Sequence, residues 1–178
     1  MRRVMTAVLA PMLLLVGCAV EEATAPPVQS ARKAARSLSI SGRCEGSFDF
    51  IPIDFLPPPQ EDLAAHARLP GRGICRLTHL GKTTYADEIL VDFTGDPFVG
   101  TGTRVFIAAN GDELRATEEI ATPGPGSNPE FTSTGTFTFD GGTGRFRNAA
   151  GSARFIGGGS TEDNSSFLSL EGTITLTP

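Results

Sequence analysis

The sequence predicts an all-β domain, an eight-stranded antiparallel barrel, and three observations carry that expectation. Short runs rich in Phe, Ile, Val and Thr recur at regular intervals between clusters of Gly, Pro, Asn and Asp. Residues 131–139 alternate strictly, with Phe131, Ser133, Gly135, Phe137 and Phe139 on one face and Thr132, Thr134, Thr136 and Thr138 on the other. No convincing helical periodicity interrupts the pattern, and eight such strands can close into a barrel that leaves no free edge.

Ahead of the domain, Arg2 and Arg3 precede an apolar run over 4–16, the order of charge and hydrophobicity of an export signal. The run is too short to span a bilayer, which takes about 20 apolar residues, and Pro11 interrupts it. Leu15-Val16-Gly17-Cys18 resembles the lipobox of bacterial lipoproteins. That resemblance implies a signal peptide over 1–17, diacylglyceryl transfer to the Cys18 sulfur and acylation of its new amino group. Several acyl chains on one residue anchor a protein stably, where one chain is marginal. Ala19, in place of Asp, resembles the pattern of Gram-negative lipoproteins sent to the outer membrane. An ordinary secretory signal cleaved nearby is the alternative, and it too exports the chain.

Residues 18–40 read as the lipidated N-terminus and a disordered tether, because Glu21, Glu22, Pro26, Pro27 and the Arg32, Lys33, Arg36 patch offer little apolar surface to pack. Residues 41–178 are the size of one domain. Of the chain's 15 basic residues, Arg2 and Arg3 leave with the leader, so 13 face 20 acidic residues and the mature net charge is −7. That balance excludes a nucleic-acid surface. Cys44 and Cys75 remain in an oxidising compartment and are expected to pair, the alternative being two free buried thiols.

The strands are expected near 45–54, 72–80, 84–94, 100–109, 112–121, 130–139, 152–157 and 166–177. Asn110-Gly111 marks a tight hairpin, since both residues tolerate positive φ. In the last strand Leu168, Leu170, Ile174 and Leu176 share one face. The stretch 55–73 breaks the rhythm, with three prolines and then Glu61-Asp62-Leu63-Ala64-Ala65-His66-Ala67, and reads as a long inserted loop holding a short helical turn.

Gly141-Gly142-Thr143-Gly144-Arg145-Phe146, running on through Ala149 to Gly151, resembles the glycine-rich signature of the allene oxide cyclase and dirigent barrels. It falls between the sixth and seventh expected strands, and in that superfamily the signature lies in the C-terminal half of the barrel. Leu77 to Gly81 and Ala108 to Asp112 look like segments of exported bacterial relatives of the same barrel. The resemblance covers about residues 44–178 and implies an eight-stranded, calycin-like antiparallel barrel. Physically the motif is structural: its glycines allow a tight turn, and Phe146 can plug the core. The family's catalytic residues have no residue-by-residue match here, so its activity does not carry over.

Other chemistry is thinly represented. Only His66 and His79 could join a zinc site, so no metal and no cofactor is expected. No Gly-x-Ser-x-Gly elbow occurs, and Gly157-Gly158-Gly159-Ser160 lacks the lysine and helix of a phosphate loop. The remaining polar cluster is Arg76, His79, Tyr85, Asp87, Glu88 and Asp92, from which Arg76, His79, Tyr85 and Glu88 are the candidate pocket residues. Alternation puts Tyr85, Asp87, Ile89, Val91 and Phe93 on one face and Glu88 and Asp92 on the other, so only part of the cluster can point inward.

These features lead to a non-enzymatic, lipid-anchored envelope module that binds a small apolar ligand or an envelope partner. A cyclase- or dirigent-like enzyme steering a reactive intermediate is the second reading, and a structural protein with a filled core is the third. Oligomeric state is left open, a trimer being suggested only by analogy with the plant relatives.

Overall fold

A computed structural model describes residues 34–124 and 129–178 of the chain. The expected leader, Cys18 and most of the expected tether lie outside the described residues. The described chain is antiparallel β throughout, apart from a 3-10 turn at Gly144–Phe146.

Eight strands close the barrel: β1 (Arg36–Phe48), β3 (Ala64–Leu77), β4 (Gly81–Asp92), β5 (Phe98–Ala108), β6 (Glu113–Thr122), β7 (Glu130–Gly142), β8 (Ala150–Ser160) and β9 (Ser165–Leu176). From β3 to β9 each strand pairs with the next, β9 pairs with β1, and β1 returns to β3 to complete the circle. The extra strand, β2 (Ile51–Phe55), continues β1 along the free part of β3 beyond the barrel.

Two-residue periodicity decides which side chains fill the interior. Phe137 and Phe139 of β7, Leu168, Leu170 and Ile174 of β9, and Tyr85, Ile89 and Val91 of β4 are all buried, on the faces their alternation predicts. Cys44 and Cys75 are direct partners across β1 and β3, with Cα atoms 4.0 Å apart, and form a disulfide. At Asn110-Gly111 the chain turns tightly, with Gly111 at φ 85°.

Two expectations are corrected. The stretch 64–71 is neither a loop nor a helical turn but the first half of β3, with Ala65 and Ala67 buried and His66 and Arg68 turned outward. Alanine's helical propensity is overridden by small residues alternating against β4. Pro70 is tolerated because it sits opposite the Asp49–Phe50 break between β1 and β2, where the ladder is already interrupted. At the other boundary, strand β1 begins at Arg36, inside the expected tether. Leu38 and Ile40 point inward while Ser37, Ser39 and Ser41 face out, so the last residues of that segment pair with β9.

One end of the barrel is closed. Phe146, 2% exposed on its 3-10 turn, belongs to the same buried core cluster as Ile40, Leu77, Leu80, Phe139, Ala149 and Ile174. Gly144, at φ 53°, makes that turn possible: a Cβ there would collide with the Asp112 carboxylate. The glycine-rich segment is thus the barrel's plug.

Candidate functional site

The opposite end of the barrel is where the interior stops being filled. It is formed by the ends of β1, β4, β6 and β8 and the starts of β5, β7 and β9. Aromatic rings gather there: Phe48 meets Phe131 edge to face at 5.9 Å, and Phe93 lies between Phe50 at 5.8 Å and Phe98 at 5.1 Å. Beneath this rim lie two adjoining cavities of about 100 and 90 Å³, which share Phe48, Leu69, Ile89, Ile120, Phe131 and Ser133 as walls. The outer cavity is almost wholly apolar. Its inner neighbour reaches Tyr85, Asp87, Arg104 and Glu118.

Strand register explains how those four groups meet. Tyr85 pairs with Phe106, and Asp87 pairs with Arg104, across the β4–β5 ladder. Glu118, on β6, pairs with Gly102 of β5, one inward position from Arg104. With a strand rise of about 3.3 Å per residue and the tilt of a barrel, the charged layer lies roughly 10 Å inside the level of Val91. On the other side of Asp87 stands Gly71, whose missing side chain leaves the space that the Asp87 carboxylate occupies.

The electrostatics follow from burial. The side chains of Asp87, Arg104 and Glu118 are 4%, 6% and 0% exposed. Arg104 contacts Asp87 Oδ2 through Nη2 and lies 3.3 Å from Glu118 Oε2 through the same nitrogen. Its guanidinium also stacks over the Tyr85 ring at 4.6 Å and the Phe137 ring at 5.1 Å. Burial pushes the Glu118 carboxyl up to about 7, a rise that Arg104 only partly opposes. Burial raises Asp87 as well, against the pull of Arg104 and the Gly71 N–H. Tyr85 is raised by burial too, and its hydroxyl makes a long 3.5 Å contact with Ser166.

Hydrogen bonding at this layer is incomplete. Arg104 Nε and Nη1 and both Glu118 oxygens are buried without a hydrogen-bond partner. Such groups are costly in an apolar interior unless something satisfies them. A buried, polar, under-satisfied floor beneath an apolar entrance is the make-up of a small-molecule site.

Of the residues singled out from sequence, the structure brings Tyr85 and Asp87 into this site and leaves the others outside. Arg76 is exposed on β3, in the opposite phase to buried Cys75 and Leu77. His79 is exposed in the β3–β4 turn at φ 64°, where its carbonyl accepts a 3.0 Å hydrogen bond from Arg145. Glu88 faces outward and pairs with Arg68 at 2.8 Å. Asp92 is also outside, accepting hydrogen bonds from Thr94 and standing 3.8 Å from His66, which bonds Asp54 at 2.8 Å.

Arg104 and Glu118 were not singled out by sequence, although the signal was present. Arg104 is in phase with Phe106 and Ala108, and Glu118 is in phase with Leu114, Ala116 and Ile120. An ionisable residue in the apolar phase of a strand is a candidate interior group. Compared with known proteins, the chain matches no family model, no curated protein and no solved structure.

Proposed function

We propose that this chain is a lipid-anchored module of the bacterial cell envelope whose barrel mouth binds a small, largely apolar molecule. The observation that carries the binding reading is the pair of adjoining cavities, ringed by phenylalanines and floored by the buried Arg104, Asp87 and Glu118. Export is supported by the basic and apolar N-terminus ending at Cys18, and by a disulfide, which persists in oxidising compartments. The resemblance of 141–151 to the allene oxide cyclase and dirigent signature fits a barrel that accepts a guest.

One observation favours a second reading, catalysis on the guest. Glu118 is pushed up to about 7 beside the inner cavity, where a carboxyl group can exchange a proton near neutral pH. Tyr85 and Arg104 stand next to it to orient a substrate.

The test is mass spectrometry of small molecules extracted from the mature chain after purification from host membranes. A Leu69→Trp variant, which fills the wall shared by both cavities, serves as the control. The binding reading expects a compound that travels with the native chain and is lost from the variant. Equal recovery from both proteins, or none from either, contradicts it.

A further inference from the structure

We propose that the pocket selects an uncharged molecule presenting one isolated hydrogen-bond acceptor, a carbonyl, ether or hydroxyl oxygen, to the free N–H groups of Arg104. This rests on the small-molecule reading above and adds the chemical class of the ligand.

The atoms of the guanidinium decide the class. A guanidinium binds carboxylate or phosphate through two parallel N–H groups, and both of its forked edges, Nε with Nη2 and Nη1 with Nη2, share Nη2. In this barrel Nη2 contacts Asp87 and lies 3.3 Å from Glu118 Oε2. An oxyanion on either edge would be brought up against a carboxyl oxygen. What is left are the separate N–H groups of Nε and Nη1, buried and without a protein acceptor. A single oxygen satisfies such a donor.

Charge points the same way. Two carboxyl groups already stand against one guanidinium in a layer at most 6% exposed, so an anionic ligand would add a third acid where solvent screens weakly. A cationic head would place a second positive charge beside Arg104 and leave its N–H groups unsatisfied. An uncharged acceptor does neither. The remaining walls, among them Phe131, Phe155, Leu69 and Ile120, suit a hydrocarbon body.

A built-in reporter makes the test direct. Tyr85 is the sole tyrosine, the chain has no tryptophan, and Tyr85 lines the inner cavity, so intrinsic fluorescence of the mature chain reads its occupancy. The probes are four molecules of similar shape: cyclohexyl methyl ketone, cyclohexanecarboxylate, cyclohexylmethylammonium and ethylcyclohexane, titrated at neutral pH. The ketone is expected to give a saturable change. The carboxylate, the ammonium and the hydrocarbon should each bind at least about tenfold more weakly.

In Arg104→Met the ketone should bind no better than ethylcyclohexane. Because that variant strands a buried carboxylate and can fail to fold, Arg104→Lys supplies a second reading. It keeps a cation against Asp87 but removes the Nε and Nη1 donors, and should weaken the ketone at least about fivefold, whereas native ketone affinity in this variant overturns the proposal. Carboxylate, ammonium or hydrocarbon binding as tight as the ketone's overturns the ligand class while leaving a binding pocket in place. Absence of a saturable response to all four overturns the pocket reading and this proposal together.

Discussion

Asp87 and Arg104 are direct register partners across β4 and β5, and both side chains turn into the barrel, 4% and 6% exposed. A buried ion pair of this kind is weak evidence for stability, because desolvation offsets its attraction. Its removal is informative all the same. Arg104→Met leaves Asp87 buried without its cation and should cost about 3 to 5 kcal/mol in urea unfolding. Replacing the layer as a unit, with Asp87→Leu, Arg104→Met and Glu118→Leu, should recover most of that loss. A triple variant as unstable as the single one contradicts the account of the layer as an electrostatic compromise.

Stability should fall as pH rises from about 4.5 to about 7. Glu118 holds its proton up to about 7 in the folded chain, against 4.5 as its ordinary value, so the folded state binds more protons through that window. Its contribution is fully present below the ordinary value and is lost as pH passes the folded value. Asp87, also raised, acts in the same direction. The exposed Glu88, Asp92 and Asp163 are lowered by their partners, and their contributions are instead lost at lower pH, as the medium becomes acid enough to protonate them. Urea midpoints measured from pH 5 upward should therefore decline, by on the order of a few kcal/mol in unfolding free energy. Glu118→Gln should flatten the decline, and an unchanged slope in that variant refutes the assignment.

The cavity could be read from sequence only in part, and the reason lies in single positions. Alternation put Tyr85 and Asp87 on one face and Glu88 and Asp92 on the other, and the barrel turns the first pair inward, so Glu88, named among the candidate pocket residues, faces out. It located no partner for Asp87, because which strand residue stands opposite depends on register, and register is set by turns and closure. Arg76 and His79 are near Tyr85 in sequence, yet one is on the outer face and the other in a turn. Phe146 was legible as a plug because an aromatic follows a glycine turn. The first half of β3 was not, because Ala64, Ala65 and Ala67 carry no β-branched or aromatic signal.

Phe146→Ala should cost about 3 to 5 kcal/mol, since the ring is 2% exposed and sits within the buried core cluster. Thermal unfolding of the variant checks this. A loss below about 1 kcal/mol would mean that the closed end of the barrel does not depend on its plug.

Reduction of the Cys44–Cys75 bridge removes a link between residues 31 apart in sequence and should lower stability by roughly 3 kcal/mol. Paired urea curves with and without reductant, and a Cys44→Ser, Cys75→Ser double variant insensitive to reductant, check it. Two thiols titrating in the native chain under denaturing, non-reducing conditions would contradict the bridge.

Cys18→Ala should abolish incorporation of labelled fatty acid and move the chain from the detergent phase to the aqueous phase on phase partitioning. Unchanged partitioning of the variant contradicts the lipid anchor while leaving the barrel's reading intact.

The central claim is an open barrel mouth that holds a small molecule over Arg104, and a high-resolution crystal structure of the mature chain purified from its own host tests it most directly. The account predicts density for a compact guest between the phenylalanine rim and the Arg104 guanidinium, with an oxygen against Nε or Nη1. Phe48, Phe93 and Phe131 folded inward over a continuous core, with Arg104 and Glu118 satisfied by neighbouring side chains, would contradict it.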